Sequence, residues 1–159
     1  MTKIIPASFC ETAHLEAVAA LINAYIADEM GGGNSTDLKP LSKIRQLMLV
    51  DGLGNHPKAI VLLAQNAEEF VGLLVAFENF STFTAQPMLN IHDLIVLKEH
   101  RGQGIGKLLM NALIEEAENR HCSRITLEVR TDNQKAQTLY KSLGFEAPDP
   151  NMLYWRKYI

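Results

Sequence analysis

The chain has two cysteines in 159 residues, Cys10 and Cys122. Two are too few for a disulfide framework, and neither sits in a spacing that a metal site needs. Both are expected to be buried thiols kept reduced by their compartment. Long apolar runs are missing as well. No stretch reaches the length of a membrane span, and the opening Met-Thr-Lys-Ile-Ile-Pro-Ala-Ser lacks the apolar core of a signal peptide. The expectation is a cytoplasmic protein with no membrane partner. Charge of one sign is also scarce: 15 Lys and Arg against 18 Asp and Glu leave a net charge of −3. That balance argues against broad, direct nucleic-acid binding. Repeats and low-complexity tracts are absent. What remains reads as one domain, residues 1–159, with enough chain to bury a substantial core.

The most informative stretch is His100 to Leu109, His-Arg-Gly-Gln-Gly-Ile-Gly-Lys-Leu-Leu. Gly102, Gly104 and Gly106 let the backbone turn tightly and bring its N–H groups close to a ligand. A helix starting here adds unpaired amides and the positive end of its dipole. Together they form an anion site suited to phosphate or diphosphate. Two familiar phosphate loops do not fit. Lys107 is followed by Leu108, so no hydroxyl is available for the magnesium of a P-loop. A dinucleotide fingerprint beginning at Gly102 needs glycine where Lys107 stands.

The flanks have a clear rhythm. Leu89 to Leu97 is aliphatic and β-branched, a buried strand. Ile105, Leu108, Leu109, Ala112, Leu113 and Ala117 recur at three- and four-residue steps and define one helix face. From Ser123 to Arg130 the alternation of Ile125, Leu127 and Val129 with Arg124, Thr126 and Glu128 predicts a strand. Thr131-Asp132 offers an N-cap for a helix from Asn133 to Leu143, which Gly144 ends. After a turn at Pro148 and Pro150, Met152 to Tyr158 reads as a last strand. In that setting Arg101-x-x-Gly104-x-Gly106 resembles the acyl-CoA signature of the GCN5-related N-acetyltransferase (GNAT) superfamily. Asn133-x-x-Ala136-x-x-x-Tyr140-x-x-x-Gly144-Phe145 is similar to a second signature of the same superfamily. The resemblance runs from about Val71 to the C-terminus. It implies a mixed α/β fold: a mostly antiparallel sheet of about six to seven strands, splayed at its centre, with about four flanking helices.

The resemblance also implies chemistry. Acetyl-CoA is the cosubstrate and no metal is called for. Leu94, Ile95 and Val96 would run beside the pantetheine arm, with a backbone N–H near Ile95 or Val96 polarising the thioester. Arg101, Gly102, Gln103, Gly104, Ile105, Gly106 and Lys107 would hold the diphosphate, mainly through main-chain amides. Asn133 and Ala136 would contact the pantetheine side, and Tyr140 would protonate the departing thiolate. Spacing alone leaves Tyr140 equally readable as helix core. Asp93 is the leading base, acting through water or by attracting the ammonium; a carboxylate satisfying nearby backbone is the other reading. Many relatives carry Glu where His92 stands. His92, an imidazole of the type suited to proton transfer, is a second candidate, although a lone strand histidine also serves structure.

The N-terminal half is less diagnostic. Lys3 to Ala7 is a candidate strand, and Glu11 to Glu29 a helix facing the core with Leu15, Val18, Ile22, Tyr25 and Ile26. Met30 to Thr36 is a loop, on the substrate side if the resemblance holds. A helix from Leu41 to Val50 and a hairpin of Ala59–Ala64 with Phe70–Phe77 follow. Phe80-Ser-Thr-Phe83 is similar to the diamine and Hpa2-like branches of the superfamily. The acceptor expected from this is a small polyamine or diamine, or a protein lysine. Glu78, Asp28 and Glu29 are candidates for holding further positive charge, or else solvated surface groups. A non-catalytic acyl-CoA sensor and a nucleotide-phosphate binder stay open, and so does a homodimer built on the last strand's edge.

Overall fold

Alternate residues of three neighbouring strands supply one apolar face: Val61 and Leu63, Leu73 and Val75, and Ile95, packed with Val18, Leu21 and Ile22 and with Val50 and Leu53 of two helices. The computed structural model describes residues 1–29, 39–147 and 157. In chain order these form β1 (Thr2–Pro6), α1 (Thr12–Ala27), α2 (Lys43–Gly54), β2 (Ala59–Asn66), β3 (Glu69–Ser81) and β4 (Gln86–Val96). A single 3-10 turn (Lys98–His100), α3 (Ile105–Asn119), β5 (Ile125–Leu127) and α4 (Gln134–Ser142) follow. The chain divides into two compact units, Met1–Glu128 with the sheet and α1 to α3, and Val129–Ile159 with α4.

The sheet order follows the sequence, β1-β2-β3-β4-β5. Three antiparallel pairings are followed by a parallel one between β4 and β5. The mixed α/β class expected from the sequence is the one found, with four helices and a mostly antiparallel sheet. The strand count differs. Five strands occur among the described residues, where six to seven were expected. Apart from Lys157, the expected last strand, Met152 to Tyr158, lies outside the described residues with its Pro148–Pro150 turn, as does the Met30 to Thr36 loop.

The other face of the sheet carries α3, whose Ile105, Leu109, Met110, Leu113 and Ala117 are buried. Gly72 on β3 permits the close approach. A Cβ there would meet the Ile95 carbonyl at 3.1 Å and the Leu109 Cδ1 at 3.2 Å. The cysteine expectation needs correction: Cys10 is exposed, and Cys122 is partly covered. Burial pushes the Cys122 thiol upward. Among the described residues no helix is long and apolar enough to cross a membrane.

Glu78, near the far end of β3, is neither solvated nor waiting for a ligand. It pairs with Lys58 ahead of β2 and with Arg120 at the end of α3, the latter at 2.8 Å. Hydrogen bonds from these two cations hold its carboxyl below the ordinary carboxylate range. A depressed folded-state pKa stabilises the fold above the unfolded pKa, and that contribution is lost as pH falls through the folded value. Both cations are more than a third exposed, so solvent screening keeps the contribution to about 1 kcal/mol. Glu78→Gln is therefore expected to lower the melting temperature at pH 7. The difference from the parent should close as pH falls through the folded-state value; a deficit that stays the same from neutral to strongly acid pH in thermal denaturation would contradict this.

Candidate active site

The β3–β4 register pairs Val75 with Asp93 but Ala76 with Ile91. His92 is thus one residue too many on β4, a β-bulge. In a regular strand, consecutive side chains take opposite faces. The extra residue cancels that alternation, so His92 and Asp93 both turn toward the face covered by α1 and α2. His92 is exposed and Asp93 half-buried. The His92 ring meets Phe77 edge-on at 5.1 Å between centroids, and Phe77 meets His56 in the same way at 4.9 Å.

Burial raises the Asp93 carboxyl above the usual carboxylate range, and the neighbouring His92 offsets this only in part. Tyr25, on the last turn of α1, feels the same site. Its phenol is raised first by burial, then by the negative charges of Asp93 and Asp28. The result is a patch of aromatic rings with a carboxylate of increased proton affinity, suited to receiving a cation and taking its proton.

The bulge also changes which backbone groups face outward. Leu89 N–H donates to the Arg124 carbonyl beside β5 at 3.1 Å, whereas Leu97 N–H donates the other way, to Val71 of β3, at 2.9 Å. Alternation from Leu97 turns the main-chain groups of Ile95 and Asp93 toward β3. Those of Leu94 and Val96 face the opposite edge. β5 reaches only Leu89 to Ile91, so among the described strands that edge of β4 has no partner beyond Ile91. This explains why the expected Ser123–Arg130 strand shrinks to Ile125–Leu127. Where β4 bends at its bulge, β5 loses the ladder that would extend it.

This edge of β4 leads into the glycine loop. Gly102 and Gly104 have φ of +77° and +81°, conformations that glycine adopts without Cβ strain. Among the described residues nothing lies within 4 Å of a Cβ built at either. Glycine is required there by the backbone angle. Gly104 is the N-cap of α3, and no side chain among the described residues caps that helix. The first-turn amides, from Ile105, Gly106 and Lys107, therefore remain available to an anion. The Arg101 side chain is directed elsewhere: its Nε donates to the Val96 carbonyl at 2.8 Å and a terminal nitrogen to the Asp28 carboxylate at 2.5 Å.

In the second unit, Asn133 is the cap that α4 uses. Its side chain accepts from the Ala136 N–H at 3.1 Å, while Asp132, the expected cap, pairs with Arg130 at 2.6 Å. Gly144, at φ +82°, ends the helix with two crossed bonds, from Phe145 N–H to the Tyr140 carbonyl and from Gly144 N–H to Lys141. That is a Schellman stop. It seats the Phe145 ring 6.0 Å from the Tyr140 ring, so the Tyr-x-x-x-Gly-Phe spacing fixes one side of the tyrosine.

Residues 19–145 match the model of the acetyltransferase (GNAT) family. The chain belongs to that family. It is thereby an N-acetyltransferase by class, and the relatives of this acetyltransferase agree. An uncharacterized N-acetyltransferase of Bacillus subtilis, YhfO, is 26% identical over 86% of each chain. Mouse thialysine N-epsilon-acetyltransferase is 32% identical over 62% of this chain and 62% of its own, so the match spans under two thirds of that enzyme. Among solved structures, AAC(6')-Iy in complex with the bisubstrate analog CoA-S-monomethyl-acetylneamine shares the fold. Its TM-score is 0.76, at 17% identity, over 100% of this chain and 99% of that one.

Of the residues singled out by sequence, the first unit brings together His92 and Asp93, the edge Leu94–Val96, and the loop from Arg101 to Lys107. Ile95 contributes its buried side chain to the core, and its main chain faces β3. Asn133, Ala136 and Tyr140 stand on α4 in the second unit. Tyr25 escaped notice as a functional residue, and Asp28, singled out as a holder of positive charge, pairs with Arg101 of this chain. Tyr25 fell on the apolar stripe of its helix and read as core. Asp28 became informative only once the fold set it beside Arg101.

Proposed function

We propose that this acetyltransferase moves the acetyl group of acetyl-CoA to a primary amine by direct attack on the thioester. The observation that carries the reading is continuity. Among the described residues, a helix start without a side-chain cap in a left-handed glycine loop joins a β4 edge whose Leu94 and Val96 main chains have no strand partner, and β4 bears Asp93 at its bulge. In this reading the loop amides from Gly102 to Lys107 hold the diphosphate, while the open edge holds the pantetheine arm in the manner of an added strand. A Leu94 or Val96 N–H supports the charge that develops on the thioester oxygen.

A lysine-like ammonium, with a pKa of about 10, must lose a proton before it can attack. Asp93, with its raised proton affinity, accepts that proton directly or through water, and His92 relays it to solvent. Tyr140 supplies a proton to the leaving sulfur. Its place in the Asn133-to-Phe145 signature supports that role. The acceptor we favour is a small diamine or polyamine. The Asp93 carboxylate and the rings of Tyr25, Phe77 and His92 suit a cation, and the mouse relative's name points to an amine at the end of a side chain.

Thiol release from acetyl-CoA, assayed against spermidine, thialysine and a lysine peptide, tests this. One small amine should stimulate release at least tenfold; tight acetyl-CoA binding with no stimulated release would make the protein a sensor. Tyr140→Phe is expected to reduce turnover by about 10²-fold while acetyl-CoA affinity holds. A parent-like rate at every pH would remove Tyr140 from the chemistry.

A further inference from the structure

Asp28 occupies a position that helix stability does not favour. It caps the C-terminal end of α1, its own N–H donating to the Tyr25 carbonyl at 3.1 Å, and an anion there opposes the helix dipole. The Arg101 guanidinium compensates. One nitrogen is on the Asp28 carboxylate at 2.5 Å and another on the Val96 carbonyl at 2.8 Å. The carboxylate is mostly covered, with a side-chain exposure of 18%. Val96 is the last residue of the open β4 edge, and Arg101 is the residue before Gly102. Three elements meet in this contact: the end of α1, the end of β4 and the start of the glycine loop.

We propose that Asp28 is a positioning residue, holding the Arg101 guanidinium against the Val96 carbonyl and so fixing the angle at which the glycine loop leaves β4. The inference rests on the reading of that loop as the diphosphate site. In it, Arg101 serves acetyl-CoA through its main chain and its hold on β4, and its guanidinium stays with Asp28. The end of α1 thereby becomes part of the cofactor site, and the helix that places Tyr25 beside Asp93 is tied to the loop that places the thioester.

The test is calorimetric titration of acetyl-CoA into the parent, Asp28→Asn, Asp28→Glu, Arg101→Gln and the Asp28→Asn/Arg101→Gln pair, with a melting temperature for each. Asp28→Asn should raise Kd about threefold to tenfold, the range of a charge-assisted contact of this kind, with little change in melting temperature. Asp28→Glu should recover most of the affinity. The double variant should bind no worse than Arg101→Gln alone, because both changes remove one interaction. Tighter binding by Asp28→Asn would overturn the proposal, since the carboxylate would then be competing with the diphosphate for Arg101. So would a lowered melting temperature at unchanged Kd, or fully additive losses. A parent that does not bind acetyl-CoA would defeat the underlying reading of the loop, and this proposal with it.

Discussion

Replacing Asp93 by Asn is expected to lower kcat/KM by about 10²- to 10⁴-fold, the range for losing a general base, and to raise the melting temperature at pH 7. The two changes have one cause. Burial lifts the Asp93 carboxyl above its ordinary range, so the folded-state pKa exceeds the unfolded one. Below the unfolded pKa, about 3.9, both states are protonated and the residue costs nothing. As pH rises through the folded value, the half-buried carboxylate ionises at the expense of stability. The Asn variant should therefore gain stability over the parent with rising pH, and the gain should vanish below about pH 4. Acetyl-CoA affinity should be unchanged, because Asp93 faces α1 and α2 and its main chain faces β3. Steady-state kinetics and thermal denaturation from pH 4 to pH 8 check both halves. A variant that keeps its rate, or that loses stability at neutral pH, would return Asp93 to a structural role.

The second large effect concerns Gly104. Its φ of +81° is costly for any residue with a Cβ, by about 1–2 kcal/mol, and most of all for a β-branched one. Because no described residue lies within 4 Å of a Cβ built there, Gly104→Val has no clash with the described core to relieve. The expected response is local: the backbone relaxes to negative φ and the first amides of α3 turn away from their common focus. Acetyl-CoA binding should weaken by about 100-fold, as several main-chain bonds to one anion are lost together. Gly104→Asn, which tolerates the left-handed conformation better, should retain much more affinity. Calorimetric titration of both variants decides it. Equal affinities for the parent and Gly104→Val would take the loop out of the cofactor site.

The glycine loop was legible in the sequence because its requirement is local. Gly102 and Gly104 are needed for their backbone angles, and an apolar stripe from Ile105 onward announces a helix wherever it is found. The same holds for α4, whose stop at Gly144 is written in Tyr140-x-x-x-Gly144-Phe145. What stayed hidden depends on pairing across the sheet. Nothing in Ile91-His92-Asp93 marks a bulge; it exists only because β3 holds Val75 against Asp93 and Ala76 against Ile91. Strict alternation would set His92 and Asp93 on opposite faces, and a single inserted residue brings them together. The shortening of β5 has the same origin. Asp28 and Glu78 could be read only as holders of some cation or as surface charges, because their partners, Arg101 and Arg120, are distant in sequence and near only in the fold. The Asn133 cap was missed by one or two positions, an ordinary ambiguity when Thr131, Asp132 and Asn133, all good caps, stand in a row.

The central claim is that the loop after β4 grips the diphosphate of acetyl-CoA and lays the thioester along the open β4 edge. A crystal structure of the protein soaked with acetyl-CoA tests it most directly. The claim predicts diphosphate oxygens within hydrogen-bonding distance of main-chain N–H groups between Gly102 and Lys107, and the thioester oxygen facing a Leu94 or Val96 N–H. Acetyl-CoA bound with its diphosphate away from that loop, or with its arm off the edge beyond Ile91, would contradict it.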